Sequence, residues 1–345
     1  MTRLEKLQQT GIRRTGTPKQ GFTYENADGS RAKKEDLARI RALRIPPAWT
    51  EVFINASARG SLQAIGKDAA GRWQYLYHER HTRRQEQKKF ERLMQFAAAL
   101  PRMRQRVSED IARPGLGREK VMACILRILQ TCFIRPGSQV YAAENGSYGI
   151  ATLRRKHVRI EGDLVIFDFR GKHGQRQHRE LRDAVVARIV KRLAELPGYE
   201  VFKYEDADGH LVDVKRRHIN QYIKEVMGQQ FSAKDFRTWA GTLICACALA
   251  RAEAAASQEE LPASGLKRAR RRAVVAAIKE AAGHLGNTPA VCKSSYINPV
   301  IIDGFERGQV VKHYFETVEE LVERELDGLH PSEKALLKLL GEKAA

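Results

Sequence analysis

Five short segments carry side chains suited to chemistry at a phosphate. They are Phe133-Ile-Arg135-Pro-Gly137, Gly171-Lys172-His-Gly174, Lys234-Asp-Phe-Arg237-Thr-Trp239, Leu285-Gly-Asn287-Thr and Ser294-Ser-Tyr296-Ile-Asn298-Pro299. An arginine fork gives two parallel, charge-assisted hydrogen bonds to phosphate oxygens and stays charged at any working pH. A lysine whose pKa is lowered by nearby cations can give up a proton, and a phenol can form a covalent intermediate. Taken singly, each residue also has a plain structural reading. Tyr296 would be a packed residue, Lys172 a solvated turn and Arg237 an ion-pair partner on its own helix. Arg135 would be a cation at the end of a helix that Pro136 and Gly137 stop. Asn287, after Gly286, would be a residue that tolerates a left-handed turn.

Rigid elements must hold such a set in place. Apolar residues at three- and four-residue spacing predict helices near 88–105, 118–133, 183–196, 214–228, 235–254 and 267–284. Between Lys156 and Leu181 the pattern is strand-like, with turns at Glu161-Gly-Asp163 and 171–174, which puts Lys172 on a hairpin tip. From Glu51 to Tyr77, three short antiparallel strands alternate around the turns Ala58-Arg-Gly60 and 67–71. The first thirty-odd residues, rich in Gly, Thr, Lys and Arg, read as a loose arm with short ordered stretches. The stretch 254–272 reads as beginning in a surface loop before the basic run Lys267-Arg-Ala-Arg-Arg-Arg272.

The expected fold class is α+β. A small N-terminal antiparallel β-sheet domain, residues 1–87, precedes a larger, mostly α-helical domain, 88–315, with a small three-stranded sheet. The boundary falls in the charged stretch 82–92. A helical tail, 316–345, places Val318, Leu321, Val322 and Leu326 on one side.

Lys and Arg number 61 against 41 Asp and Glu in 345 residues, a formal net charge of +20. The tail is acidic, so residues 1–315 carry 57 bases and 33 acids. A body this basic favours a polyanionic partner bound through phosphates, with salt-dependent affinity. No apolar run approaches the ~18 residues of a spanning helix and no signal peptide is visible, so a cytoplasmic, nucleoid-associated protein is expected. Cys124, Cys132, Cys245, Cys247 and Cys292 are odd in number and lack zinc spacing, which predicts buried thiols and neither a disulfide framework nor a metal.

As an ordered set, the five segments resemble the type IB DNA topoisomerases, in their compact poxvirus-like and bacterial branch, from about Pro46 to about Phe315. The resemblance implies an active site of Arg135, Lys172, Arg237, Asn287 and Tyr296. It implies relaxation of supercoiled duplex DNA through a 3′-phosphotyrosine, strand rotation and religation, with no cofactor, ATP or metal. A monomer that clamps around duplex DNA, with no membrane partner, follows. Arg72-Trp-Gln74-Tyr75-Leu-Tyr77 resembles the family's DNA-facing strand, and Tyr141 matches a position near the DNA backbone. Strand alternation, however, puts Tyr75 and Tyr77 on one face and Gln74 on the other unless a bulge intervenes. Arg154, Arg155 and Lys156, in Leu153-Arg-Arg-Lys-His157, are candidate phosphate contacts, with a solvated basic strand edge as the rival reading. Two other functions compete. A tyrosine recombinase shares the chemistry, but usually has His where Lys234 stands and Leu-Gly-His where this chain has Leu285-Gly-Asn287. A non-enzymatic architectural DNA-binding protein would explain the charge and leave the five segments as coincidence.

Overall fold

The structure is a computed structural model that describes residues 2–257, 262–318, 320 and 328–342. The chain divides into two compact units, Met1–Glu91 and Arg92–Ala345. The division lies inside one continuous helix, α3 (Glu79–Ile111), which starts well before residue 88.

The first unit is built on a five-stranded antiparallel sheet, in the order β2-β1-β3-β4-β5. Its strands are β1 (Ile12–Thr17), β2 (Gly21–Glu25), β3 (Thr50–Ile54), β4 (Leu62–Lys67) and β5 (Trp73–Tyr77). The sheet therefore has two more strands than the sequence pattern suggests, and both lie in the supposed loose arm. The arm folds because it contributes to the core. Ile12 is buried beside Val52, Ile54 and Ala64, and Ile40 of α2 (Lys34–Ala42) covers that face. Leu7 of α1 (Arg3–Thr10) packs with Leu62 and Ile65 in a second cluster. Thr2 starts α1 with a reciprocal cap, accepting from the Glu5 N–H at 3.2 Å while the Glu5 carboxylate accepts from the Thr2 N–H at 2.8 Å.

The second unit is mostly helical around one apolar core. After α3 come α4 (Arg118–Cys132) and α5 (Gln139–Asn145), then a three-stranded antiparallel sheet of β6 (Val158–Glu161), β7 (Leu164–Arg170) and β8 (Arg176–Arg182). Asp183 accepts from the backbone N–H of Val185 and Val186 at 2.9 and 3.0 Å and so starts α6 (Ala184–Glu195). The short strands β9 (Lys203–Glu205) and β10 (Leu211–Asp213) lead to α7 (Arg216–Met227). The central helix is α8 (Ala233–Ala256), buried at every residue from Asp235 to Ala250, as a helix apolar on all sides must be. Its Ala, Gly and Cys residues allow close packing of α9 (Ala263–Leu285), α10 (Pro289–Tyr296) and α11 (Pro299–Glu306). The basic run 267–272 is helical, lying inside α9.

All five cysteines are free and buried. Val318 is buried, whereas Leu321, Val322 and Leu326 lie outside the described residues. A further helix, α12 (Pro331–Gly341), joins the core of the second unit through Leu336, Leu339 and Leu340. Its buried Glu333 accepts from Arg104 at 2.8 and 2.9 Å and from the Trp239 indole at 3.1 Å. Among the described residues, no helix is long and apolar enough to cross a membrane.

Candidate active site

Helix α4 ends at Phe133, whose φ of 53° is left-handed. For a residue with a Cβ this conformation costs about 1–2 kcal/mol. It turns the Phe133 carbonyl toward α8, where it accepts from Arg237 Nη1. Arg237 Nη2 donates at 2.7 Å to the carbonyl of Leu285, the last residue of α9. A buried guanidinium is thus held by carbonyls at the ends of two helices, where the backbone dipoles favour a cation. These acceptors are neutral, so the positive charge is not cancelled.

Arg135 lies two residues past Phe133. Its Nη2 donates to Asn287 Oδ1, and its Nη1 reaches the Gly286 carbonyl at 3.5 Å. Gly286 supplies the left-handed cap of α9, with φ 58°, while Asn287 is absent from the positive-φ residues. The turn-tolerance reading of Asn287 therefore fails, because the glycine before it makes the turn. Among the described residues, neither Arg135 nor Arg237 pairs with a carboxylate. Two buried donors also lack a hydrogen-bond partner there, Arg237 Nε and Asn287 Nδ2. Buried polar groups are nearly always paired, so such orphans call for an explanation.

Tyr296 is the last residue of α10, and its half-buried ring lies 5.0 Å from the Arg237 guanidinium carbon. Burial alone would raise the phenol's pKa, but the charges of Arg237, Arg135 and Lys234 outweigh it and hold Tyr296 below its ordinary value. Arg237 is pushed down to about 10, by burial first and by Arg135 next. Burial likewise lowers Arg135.

The backbone of Tyr296 is fixed from α8. Thr242 Oγ1 donates to the Tyr296 carbonyl at 3.1 Å and accepts from the Asn298 N–H at 3.1 Å. Asn298 then caps α11 by accepting from Val300 N–H at 3.1 Å, with Pro299 at the first helical position. The Ile-Asn-Pro behind the tyrosine is therefore a helix start that anchors it. Gly241 permits the close approach, since a Cβ there would stand 2.8 Å from the Tyr296 carbonyl oxygen.

The residues 78–307 match the family model described as the catalytic core of eukaryotic DNA topoisomerase I. The chain belongs to the type IB DNA topoisomerase family. Residues 21–68 match the model for the N-terminal domain of bacterial DNA topoisomerase IB, so the likeness begins ahead of Pro46 and includes β2. DNA topoisomerase 1B of Acanthamoeba polyphaga mimivirus is 34% identical over 297 residues, 85% of this chain and 87% of that protein. DNA topoisomerase 1B of vaccinia virus (strain Copenhagen) and DNA topoisomerase I of monkeypox virus are each 26% identical over 137 residues, 39% of this chain and 44% of theirs. These relatives are viral, and a bacterial connection rests on the N-terminal model alone. Family membership sets aside the recombinase and architectural alternatives. The protein is a type I topoisomerase.

In this topoisomerase, four of the five singled-out residues converge: Arg135, Arg237, Asn287 and Tyr296. Lys172 stands apart, exposed on the β7–β8 turn. Among the described residues, no hydrogen bond or ion pair links it to the other four. A further cation, Arg179 of β8, donates to the Gly283 carbonyl of α9 at 3.3 Å and helps to depress Arg237. Strand alternation could have found it, since Gln177, Arg179 and Leu181 share a face.

In the first unit, Tyr75 and Tyr77 are exposed and stack with ring centroids 6.4 Å apart. The bulge lies on β4, between Leu62 and Ala64, so β5 keeps its regular alternation. Gln74 therefore faces away from the two tyrosines, and its amide donates to Asp68 at 2.8 Å. In the second unit, Tyr141 is exposed on α5. Arg155 and Lys156 lie in a tight helical turn, while Arg154, just before it, forms an isolated antiparallel bridge with Glu200 and sits over the Tyr148 ring at 5.5 Å.

Proposed function

We propose that this enzyme relaxes supercoiled duplex DNA by transient cleavage of one strand through Tyr296. The phenol oxygen bonds to a backbone phosphorus, the bond from phosphorus to the 5′-oxygen breaks, and a 3′-phosphotyrosine results. Charge that builds on the non-bridging oxygens is met by Arg135, Arg237 and the amide nitrogen of Asn287, which has no partner among the described residues, a preorganised cation and donor set. Lys172, on its exposed turn, protonates the departing 5′-oxygen. The free end then rotates about the intact strand, and the reverse reaction reseals the break. Because the phosphotyrosine conserves the energy of the cut bond, ATP is not required. The two arginines and Asn287 supply the charge stabilisation, so the reaction should need no metal.

The observation that carries this reading is a phenol held below its usual pKa by a buried guanidinium, Arg237, and a half-buried one, Arg135, that lack carboxylate partners among the described residues. Binding would draw on both units of a monomer. The first would contribute Tyr75 and Tyr77, and the second Tyr141, Arg154, Arg155 and Lys156. Gln74 would act only after release from Asp68. The test is relaxation of supercoiled plasmid in excess chelator by wild type and Tyr296→Phe. Wild type should relax the plasmid and leave a detergent-trapped covalent adduct, and the variant should do neither. Relaxation by Tyr296→Phe, or a strict magnesium requirement in the wild type, would overturn the proposal.

A further inference from the structure

Among the described residues, the Lys172 turn has no direct bond to the rest of the site, yet something must set its register. The side chain of Gln177 lies between the two. Its stem packs on Gly171, the residue before Lys172, where a Cβ would stand 2.8 Å from Gln177 Cγ. Its amide lies directly on Gly286, where any Cβ would collide with Gln177 Oε1. Gln177 Nε2 donates to the Arg176 carbonyl at 3.3 Å and the Gln175 carbonyl at 3.5 Å, on the closing strand of the turn. Gln177 Oε1 accepts at 3.1 Å from Arg179 Nη2, which also reaches the Gly283 carbonyl of α9. A buried glutamine thus joins the β7–β8 turn to the helix end that presents Asn287.

We propose that Gln177 is a positioning residue that holds the Lys172 turn in register with the C-terminal end of α9. This rests on the assignment of Lys172 as the proton donor. In the cleavage step the Tyr296 oxygen bonds to phosphorus, the electron pair of the broken bond goes to the 5′-oxygen, and the proton from Lys172 Nζ neutralises it. Displacement of that ammonium by ~1 Å can cost on the order of 10²-fold in rate.

A duplex with sulfur in place of the bridging 5′-oxygen at the cleavage site isolates this role. A thiol ionises near ~8.5 and leaves as the anion without an acid. Single-turnover cleavage of the oxygen and sulfur substrates should be compared for wild type, Lys172→Ala, Asn287→Ala, Gln177→Ala and Gln177→Met. The Met variant keeps the length of the side chain and loses both polar ends, and thermal unfolding identifies the variant that stays folded. Gln177 variants should lose about 10–100-fold on the oxygen substrate and regain most of it on sulfur, as Lys172→Ala does. Asn287→Ala should remain slow on both. If Lys172→Ala is rescued and the folded Gln177 variant is either unimpaired or slow on both, the inference fails while the proton-donor assignment stands. If Lys172→Ala is not rescued, the assignment fails and the inference with it.

Discussion

Arg135 donates to the side-chain oxygen of Asn287, and this bond decides which end of the amide remains available. Among the described residues, the Asn287 nitrogen is left buried and without a partner, beside the guanidinium that its oxygen holds. Asn287→Asp would keep the acceptor for Arg135 and put an anionic oxygen where the donor stood. Cleavage should slow by about 10²–10³-fold, the cost of losing one preorganised donor, and by more than in Asn287→Ala. Single-turnover cleavage compares both variants with wild type, and a wild-type rate in Asn287→Ala would remove the donor role.

The lowered pKa of Tyr296 has a kinetic sign. The phenol loses its proton at lower pH than a free tyrosine, so the cleavage rate should rise with pH and level off before the ordinary value of 10. Arg237→Ala removes the strongest opposing charge and leaves burial to raise the phenol. Its pH–rate curve should fall overall and level off at higher pH. An unshifted midpoint would mean that Arg237 does not tune the nucleophile.

Gly241 separates fold from chemistry. A Cβ there would stand 3.0 Å from Tyr296 Cβ and from Leu285 Cδ1, so Gly241→Ala must push α10 away from α8. Overpacking of this kind costs about 1–3 kcal/mol. Displacement of the phenol should slow cleavage by roughly 10²-fold. Denaturant unfolding and single-turnover cleavage on one preparation check both, and full activity in a destabilised variant would show that the contact is structural alone.

Glu333 serves three donors from buried surroundings, Arg104, the Trp239 indole and the His330 N–H. Glu333→Ala leaves the indole without its acceptor and Arg104 without its carboxylate, and should cost about 3–5 kcal/mol of stability, as removal of one member of a buried ion pair does. Equilibrium unfolding in urea measures it.

The cysteines should be silent in the native protein. Burial pushes Cys132 and Cys292 up to about 11 and Cys247 to about 12, with Cys124 and Cys245 higher still. Thiolates are the reactive form, so a thiol reagent at neutral pH should register none of the five until denaturant is added. Rapid labelling of a native thiol would contradict the buried placement.

The helices of the second unit are legible in the sequence because their apolar periodicity is long and regular, and the grouping of Arg135, Arg237 and Tyr296 because their segments form a recognisable ordered set. Ile12 shows the limit at the other end of the chain. One apolar residue among Thr, Gly and Arg gives little signal for a strand, yet its burial beside Ile54 is what folds the arm. Thr242, Gly241 and Gln177 are illegible for a different reason. Each matters only through a contact with a residue more than fifty positions away or across a turn, and no local pattern announces such a contact. Asn287 shows ambiguity resolved by a neighbour, since Gly286 takes the left-handed cap and frees the asparagine for Arg135.

Thr242 acquires another meaning if, as proposed, a DNA strand becomes attached to Tyr296. A side chain joined to a rotating duplex is a mechanical joint, and the pull on it must be borne by the backbone at residue 296. The Thr242 hydroxyl grips that backbone on both sides, at the Tyr296 carbonyl and the Asn298 N–H. Load would therefore pass from the short helix α10 into the most deeply packed helix of the unit, so the phenol could carry torque while its oxygen stayed within reach of the bond that the proposed resealing must remake.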